Sequence, residues 1–495
     1  MNSSMIRFIL GSVLEIEALL LFLPCLVALI YQEYTGMYYL VTACVCGLIG
    51  LALSAKKPAS NVFYLKEGCV ATALSWIFMS IFGAVPFVLS GEIPSFTDAL
   101  FETISGFTTT GASILSNVEA LSHTSLFWRS FTHWIGGMGV LVFLLAIIPL
   151  SGGSNINLMR AESPGPSVGK LVPKMKHTAR ILYCIYIGLT VCEMILLLIC
   201  KMPVFDAVTL SFGTTGTGGF GVLNDSIMSY NAACQWVITL FMILSSINFN
   251  AYYFILFKEF KKAFGMEEVR CFLIIIAVSV GIIFFDILSI FGNAFDALTH
   301  SAFQVASIIS STGFATTDFN VWPQTSRTIL VLLMMIGACA GSTGGGIKIS
   351  RFVILVKSVF KELNGYLHPK SVKKIKMDGK AIEHEVVRAT NVYFITFFIL
   401  FSLSVFLLSF EGKDLVTNFT AVAATINNIG PGLELVGPTQ NFGTFNVFSK
   451  YVLMFDMLAG RLELFPILIL FIPTIWKDML TKKVGERRKD RQAAE

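Results

Sequence analysis

The chain has 495 residues, of which 55% are hydrophobic and only 14% are charged, and its mean hydropathy is +0.74. Because a typical soluble domain carries about 25% charged residues, this composition excludes an ordinary soluble protein and predicts an all-α protein of the lipid bilayer. The formal net charge of +5 requires no nucleic-acid partner, since membrane topology accounts for the placement of the basic residues.

Ten apolar stretches are long enough to cross a membrane, because a spanning helix needs about 20 apolar residues. They are residues 7–31, 37–55, 69–90, 126–149, 180–200, 234–257, 271–291, 327–357, 385–410 and 448–476. The first stretch is too long for a signal peptide and lacks a small-residue cleavage site, so we expect a retained helix. The ten cysteines mostly lie within these stretches, which favours packing roles over a disulfide framework or a metal site.

Basic residues are concentrated in every second connection between the apolar stretches. The segments 56–66, 151–180, 258–270, 357–388 and 477–495 hold most of the 36 Lys and Arg residues. Cytoplasmic segments carry an excess of Lys and Arg. We therefore expect these five segments, and both chain termini, on the cytoplasmic side.

A short apolar segment that is unable to span lies between the third and fourth stretches, from Asp98 to Phe107. Similar short segments begin at Asp206, Asp296 and Asp414. Because Asp is a preferred N-cap and its charge suits the positive end of a helix dipole, each aspartate is predicted to cap a short helix. One such Asp would be an ordinary cap, but four copies, each followed by a glycine motif, favour four re-entrant pore helices.

The glycine motifs recur at about hundred-residue intervals after these segments. They read Thr108-Thr-Thr-Gly111, Thr215-Gly-Thr-Gly218, Ser310-Ser-Thr-Gly313 and Asn427-Asn-Ile-Gly430. The unit of span, pore helix, filter strand and span thus occurs four times, and we predict four walls around one pore. This divides the chain into a two-helix extension at 1–66 and repeats at 67–179, 180–270, 271–384 and 385–495.

The chemistry of the motifs points to an alkali cation. A filter that removes water from an ion replaces it with backbone carbonyls, and the required backbone often has positive φ, which glycine adopts freely. Nearby hydroxyls either add oxygens or hold the strand, and the absence of a carboxylate ring argues against a divalent ion. The predicted K⁺-binding residues are Thr109, Thr110, Gly111, Thr217, Gly218, Thr312, Gly313, Asn428, Ile429 and Gly430.

A gate is predicted below this filter. Residues 337–346 are mostly Gly and Ala, and each helix-interior Gly costs about 1 kcal/mol relative to Ala, so we expect a flexible loop in place of a helix. Arg461, and with it Lys348, would add positive charge there, since intramembrane cations usually face an interior cavity. The alternatives are close helix packing for the loop and an ion pair between Arg461 and Glu463. The gate residues are Gly344, Gly345, Gly346, Lys348 and Arg461.

Other polar and small residues in the spans are assigned to packing. Gly136–Gly139 is predicted to permit close helix approach, and Asn248 and Asn250 are expected to form interhelical hydrogen bonds.

These features resemble the Trk/Ktr/HKT superfamily of potassium transporters, and the two extra N-terminal spans make the chain similar to the bacterial TrkH/TrkG branch. The resemblance covers essentially the whole chain. Further matching motifs are Trp128-Arg-Ser-Phe-Thr-His-Trp-Ile-Gly-Gly-Met-Gly139, Ile247-Asn-Phe-Asn-Ala-Tyr-Tyr253, Gly341-Ser-Thr-Gly-Gly-Gly-Ile-Lys348 and Asn427-Asn-Ile-Gly-Pro-Gly432.

The resemblance implies K⁺ uptake across a bacterial inner membrane, with Gly111, Gly218, Gly313 and Gly430 as the filter glycines. It also implies a homodimer with one pore per subunit and a cytosolic nucleotide-binding regulatory protein of the TrkA kind. The basic loops at 151–180 and 357–388 are large enough to dock such a partner. In relatives, serine at the first filter position accompanies sodium preference, so Gly111 favours K⁺. Relatives also have an intramembrane loop in the third repeat and an arginine in the last helix.

A Na⁺- or H⁺-coupled symporter is the alternative function, because broken helices also form alternating-access sites; repeats that all run in one orientation favour a pore. Gly216–Gly221 matches GxGxxG and Gly341–Lys348 superficially resembles a P-loop, but neither has the strand-and-helix setting of a nucleotide site. His133 and His300 are expected on the outer side and His384 in a basic loop, without metal-ligand spacing. We therefore predict no enzyme and no cofactor, with K⁺ as the transported ion.

Overall fold

The chain folds almost entirely into α-helices. The computed structural model describes residues 1–58, 64–139, 175–370 and 373–476. In chain order the helices are α1 (Ser3–Leu20), α2 (Phe22–Tyr31), α3 (Gly36–Ser54), α4 (Leu65–Ser90), α5 (Phe96–Phe107), α6 (His123–Gly137), α7 (Met175–Ile199), α8 (Val204–Thr215), α9 (Ala232–Ser246), α10 (Phe249–Leu256), α11 (Phe260–Gly265), α12 (Glu267–Phe291), α13 (Ala294–Ile309), α14 (Gln324–Ile336), α15 (Ile349–Leu367), α16 (His384–Ser409), α17 (Leu415–Ile426), α18 (Val447–Arg461) and α19 (Phe465–Leu468). A small antiparallel hairpin pairs β1 (Lys376–Met377) with β2 (Lys380–Ala381).

Six stretches of helix in the described ranges are long and apolar enough to cross a membrane, or seven if the bent pair α9 and α10 is one span. They are α1 with α2, α3, α4, the part of α7 from Arg180, α12 and α16. The protein is therefore a multi-pass membrane protein, while the predicted number of ten spans stays a prediction. The other predicted spans contain breaks: α14 and α15 are separated by a loop, and α18 ends at Arg461. The described residues do not include 140–149 of the predicted span 126–149, 151–174 of the basic segment 151–180, or the basic segment 477–495.

The sixth predicted span is bent instead of straight. Helices α9 and α10 meet at an angle of 91°, and Asn248 caps α10 by accepting a hydrogen bond from the Asn250 N–H at 2.9 Å. Asn248 also makes the interhelical hydrogen bond expected from the sequence, because its Nδ2 donates to Glu268 Oε2 of α12 at 3.3 Å.

The N-terminal helices pack against the first predicted repeat. The Tyr39 hydroxyl of α3 hydrogen-bonds the Ser125 hydroxyl of α6 at 2.9 Å, and the Tyr39 ring meets Trp128 edge to face. These aromatic side chains are fully buried, so α1 to α3 are a continuous part of the core. Predicted repeats one to four contain helices α4–α6, α7–α11, α12–α15 and α16–α19.

The four short helices α5, α8, α13 and α17 begin differently from the prediction. Only Asp414 is an N-cap, with its carboxylate accepting the Thr417 N–H at 2.9 Å. The other three aspartates, Asp98, Asp206 and Asp296, lie in the first helical turn, three residues after the N-caps Ser95, Pro203 and Asn293. Their predicted capping role was wrong, although a carboxylate in the first turn still complements the positive end of the helix dipole.

Candidate functional site

Each of the four short helices ends in the same backbone motif. In the first, the Thr110 N–H bonds to the Ser105 carbonyl at 2.9 Å and the Thr109 N–H to the Gly106 carbonyl at 3.1 Å, which is a Schellman motif. The bonds equivalent to the first of these are Gly218 to Gly213, Thr312 to Ser307 and Ile429 to Ala424, at 2.7, 2.9 and 2.8 Å. Four identical helix ends therefore lead into the four glycine motifs.

A non-glycine residue occupies the left-handed position in each of these helix ends. These residues are Thr109, Thr217, Ser311 and Asn428, with φ of 54°, 55°, 58° and 55°. Residues with a side chain seldom adopt this conformation, and strained backbone of this kind concentrates at functional sites. Its recurrence at four equivalent positions marks the segments that follow as the candidate site.

The four segments meet in a closed ring. A Cβ atom added to Gly111 would overlap the carbonyl oxygen of Gly218, one on Gly219 would overlap that of Thr312, and one on Gly313 would overlap that of Ile429. The ring closes where a Cβ on Gly430 would lie 2.8 Å from the carbonyl oxygen of Thr110. We call these four glycines and four carbonyls the glycine ring. Each wall rests on the next, and φ is positive at all four glycines, from 76° to 102°.

The ring corrects the predicted register in the second repeat. Gly218 was aligned with Gly111, but Gly219 has the positive φ of 87° and the contact with the next wall. Gly218 instead takes the place that Thr110, Thr312 and Ile429 hold in the other walls. The motif contains consecutive glycines, so the sequence pattern alone did not distinguish the two positions.

His133 is the reason why Gly218 carries no side chain. A Cβ at Gly218 would overlap the imidazole ring of His133, which is fully buried. Its Nδ1 donates to the Gly106 carbonyl at 2.8 Å and its Nε2 accepts from the Phe220 N–H at 3.2 Å. The imidazole of His133 fills the space behind the second wall and joins this wall to the first pore helix, while the expected position of His133 on the outer side stays a prediction.

Most hydroxyls beside the ring are engaged with protein groups. Thr108 and Thr110 share a hydrogen bond of 2.8 Å, and Ser310 and Thr312 share one of 2.7 Å. These side chains therefore hold the strands in place.

Two oxygens in the layer of left-handed residues are available for a ligand. Thr109 Oγ1 and Asn428 Oδ1 are buried and have no hydrogen-bond partner among the described residues. The Asn428 amide is fixed from its other side, since its Nδ2 donates to Met457 O and to Thr110 Oγ1, both at 2.9 Å. These two atoms are a hydroxyl oxygen and an amide oxygen, so both are neutral. Within the described ranges there is no group of three or more His, Cys, Asp or Glu residues that could hold a metal ion.

A buried ion pair that the sequence analysis missed braces the outer side of the ring. Arg129 and Glu102 lie 2.7 Å apart, and both side chains are almost fully buried. Glu102 accepts from the Ile114 N–H at 3.0 Å, and Arg129 donates to the Gly221 carbonyl at 3.3 Å. The pair thus ties the strands that leave walls one and two. An intramembrane Arg and Glu separated by 27 residues were the available signal.

The loop predicted within the eighth span lies directly against the ring. We call residues 337–348, between α14 and α15, the crossing loop. The Gly345 N–H donates to Ser311 Oγ at 2.5 Å. A Cβ on Gly345 would overlap the Asn427 carbonyl oxygen, and one on Gly344 would lie 2.8 Å from that of Ser310. Only a chain without side chains can approach walls three and four so closely.

Arg461 bridges three parts of the molecule below the ring. Its guanidinium donates to the Thr343 carbonyl of the crossing loop at 2.9 Å. It also donates to the carbonyls of Gly136 and Gly137, at the end of α6, at 2.5 and 2.9 Å. One side chain from the fourth repeat thus links the first repeat to the third. The planar guanidinium has five N–H donors, which suits it to several carbonyls at once.

Two further charged residues fix the end of the crossing loop. The buried Lys348 ammonium donates to the Gly344 carbonyl within the loop. Glu463 forms an ion pair with Arg351 of α15, which also lies over the Tyr393 ring at 3.8 Å. Glu463 is thus engaged with Arg351, and the alternative of an ion pair between Arg461 and Glu463 stays a prediction.

A cavity lies beside these groups. Its lining includes Gly345, Lys348, Asn428 and Arg461. The predicted gate residues and one wall of the ring therefore face one space.

The short helices place partial negative charge at this site, because their C-terminal ends lead into the ring and carry the negative end of the helix dipole. Such a charge favours a cation there. At the opposite end of α17, burial acts to raise the pKa of Asp414, but hydrogen bonds from the Thr417 hydroxyl and N–H outweigh it and lower the pKa. A carboxylate that stays ionised there complements the positive end of the helix.

Comparison with known proteins assigns this arrangement to a family. The family model for TrkH, described as a cation transport protein, matches residues 38–483. The Trk system potassium uptake protein TrkH of Salmonella typhimurium is 35% identical over 466 residues, which cover 92% of this chain and 95% of the relative.

A second relative and a solved structure extend the similarity to almost the whole chain. The Trk system potassium uptake protein TrkG of Escherichia coli is 32% identical over 486 residues, which cover 96% of this chain and 100% of the relative. The crystal structure of the potassium transporter TrkH from Vibrio parahaemolyticus matches with a TM-score of 0.86 and 32% identity, covering 96% of this chain and 100% of that one.

Proposed function

The chain belongs to the TrkH family of cation transport proteins, and we propose that it takes up K⁺ through the glycine ring. It is a transporter and not an enzyme. Relatives named potassium uptake proteins support K⁺ as the cargo. The observation that carries the proposal is the cyclic contact of four glycines with four carbonyls, since a closed ring of carbonyls can replace the hydration shell of an alkali cation.

In this proposal the ring is a selectivity filter. Carbonyls of Thr110, Gly218, Thr312 and Ile429 form one oxygen layer, and the free Thr109 Oγ1 and Asn428 Oδ1 contribute to the layer below. Hard, neutral oxygens suit an alkali cation. The negative ends of four helix dipoles favour a positive charge at the same place.

We further propose that the crossing loop and Arg461 form the gate. The loop contacts walls three and four through Ser311 and Asn427, and Arg461 holds it to the first repeat. Positive charge in a cavity below a cation filter opposes passage of K⁺. Movement of the loop together with Arg461 would remove both the steric and the electrostatic barrier.

The membrane arrangement in this proposal has ten crossings, both termini in the cytoplasm and location in a bacterial inner membrane. The family resemblance and the distribution of Lys and Arg support it. The resemblance also supports a homodimer with one filter per subunit, and a cytosolic TrkA-type regulatory protein that docks on the basic loops.

Growth of a K⁺-uptake-deficient bacterium at low external K⁺ tests this function. The wild-type chain should restore growth, and Gly111→Ser should lose it or lose discrimination against Na⁺, since a Cβ there overlaps the Gly218 carbonyl. Failure of well-expressed wild type, supplied with its regulatory partner, would exclude K⁺ uptake.

A coupled symporter is not favoured, and flux into liposomes separates it from a pore. Conduction of K⁺ without a Na⁺ or H⁺ gradient supports the pore. Strict dependence on either co-ion would replace the pore with symport.

A further inference from the structure

Glu268 lies in the first turn of α12 and is a buried carboxylate with only 4% of its surface exposed. Its Oε1 accepts a hydrogen bond from the Ala340 N–H at 2.5 Å and from the Ser350 N–H at 3.2 Å. Its Oε2 accepts from Asn248 Nδ2 at 3.3 Å. A buried charge is costly unless it is hydrogen-bonded, and these three donors come from three separate segments.

The donors on Oε1 stand at the two ends of the glycine-rich part of the crossing loop. Ala340 precedes Gly341, while Ser350 follows Lys348 in the first turn of α15. One carboxylate oxygen therefore fixes both ends of the segment that contacts the ring. A hydrogen bond to a charged acceptor is stronger than one between neutral groups, so this attachment is a strong one.

The third donor connects the carboxylate to the bend between α9 and α10. Asn248 uses its Oδ1 to cap α10 and its Nδ2 to reach Glu268. The same bend holds the crossing loop through backbone bonds from Phe249 N to Gly341 O at 3.0 Å and from Cys339 N to Ser246 O at 3.1 Å. The loop is thus held to one bend and to the start of α12.

We propose that Glu268 is a positioning residue that latches the crossing loop in its closed position beneath the glycine ring. This inference rests on the proposed function, in which the crossing loop closes the pore. Opening of the gate then requires that the Ala340 and Ser350 bonds to Glu268 break or move together. Because the latch also holds Asn248, a displacement of α10 is transmitted to the loop.

The test compares Glu268→Ala with Glu268→Gln in the full-length protein. Alanine removes all three acceptor bonds. The glutamine amide oxygen can still accept from Ala340 and Ser350, but the charge and the Asn248 bond are lost. Each lost bond to a charged acceptor changes the closed-to-open ratio by about tenfold or more, so basal Rb⁺ flux in liposomes should rise about tenfold or more in Glu268→Ala and less in Glu268→Gln.

A second measurement follows the loop itself. Cys339 adjoins Ala340 and is fully buried, and Cys46, which lies in α3, is equally buried. Alkylation by N-ethylmaleimide under native conditions, located by peptide mass spectrometry, should rise at Cys339 and stay low at Cys46 in Glu268→Ala. Increased labelling of both cysteines would indicate general unfolding of Glu268→Ala. In that case Glu268→Gln and Asn248→Ala test the proposal, and in each of them labelling should rise at Cys339 but not at Cys46.

The outcomes separate the latch from the gate. Unchanged Cys339 labelling and unchanged flux in folded Glu268 variants overturn the latch, even if Arg461→Ala raises flux. A different result is selective exposure of Cys339 without increased flux, together with no effect of Arg461→Ala on flux. This result supports attachment of the loop by Glu268 but overturns the proposal that the loop is a gate.

Discussion

The glycine ring and the region directly below it follow opposite designs. In the ring, four segments from distant parts of the chain have the same helix end, a left-handed residue at the same position and the same contact with the next wall. Below the ring, among the residues that the structure describes, the third repeat alone supplies a crossing loop, and Arg461 from the fourth repeat holds it. Near-symmetry thus characterises the four walls of the ring, whereas the described contacts below the ring come from single copies.

The largest effect is expected from breaking the ring at Gly219. Left-handed strain and the overlap of a Cβ with the Thr312 carbonyl each cost about 1–3 kcal/mol, so Gly219→Ala should reduce K⁺ uptake about hundredfold. The matched control is Gly281→Ala, because Gly281 in α12 has open space around it. Rb⁺ uptake at equal expression measures both.

The same experiment sharpens the register in wall two. Gly218→Ala places a methyl group against the His133 ring. Adding His133→Ala removes the imidazole, so it should restore part of the K⁺ uptake lost in Gly218→Ala. The same addition should restore none of the uptake lost in Gly219→Ala. Normal uptake by Gly219→Ala would contradict the ring.

A moderate effect of opposite sign is expected below the ring. Arg461→Ala removes a charge and three carbonyl bonds, and it should raise basal flux roughly tenfold or more, as expected for loss of a nearby like charge at intermediate dielectric. Arg461→Lys should give an intermediate flux, because an ammonium keeps the charge but loses the planar set of donors.

A control variant and a loop deletion are measured beside the Arg461 variants in liposomes. Arg270→Ala changes an exposed arginine at the start of α12 and should leave flux unaltered. Shortening residues 341–346 should raise flux as Arg461→Ala does. If neither change raises flux, the crossing loop and Arg461 are not the gate.

The smallest effect concerns the outer ends of the pore helices, where symmetry is only approximate. Asp414→Ala removes a true N-cap and should cost about 1 kcal/mol of stability, measured as a lower thermal midpoint in detergent. Asp296→Ala, in the first turn of α13, should cost less. Equal decreases of the thermal midpoint in the two variants would contradict a capping role that Asp414 has and Asp296 lacks.

The stabilising effect of Asp414 should also depend on pH. Its folded pKa is lowered, so the contribution is present above the unfolded pKa of about 3.9 and is lost as pH falls through the folded value. The difference in thermal midpoint between wild type and Asp414→Ala should therefore narrow at acidic pH.

Several features of the site were predictable because they depend on local rules. The break at 337–346 follows from consecutive glycines, and positive φ at Gly111, Gly313 and Gly430 follows from the freedom of glycine. The capping role of Asp98, Asp206 and Asp296 was predicted wrongly, since a carboxylate at the cap and one in the first turn satisfy the same dipole preference. The sequence could not separate Gly218 from Gly219, because either glycine can adopt the required backbone.

The sequence by itself determined that this protein is helical and membrane-embedded, and where its four glycine motifs and one glycine-rich break lie, because hydropathy and backbone preference act over a few residues. Only the tertiary structure decided which wall each glycine meets, that His133 stands behind Gly218, and that Glu268 and Arg461 both bind the crossing loop. The contacts of the crossing loop with Glu268 and Arg461 join residues from 72 to 118 positions apart. Partners at such separations are chosen by packing, which no spacing in the chain encodes.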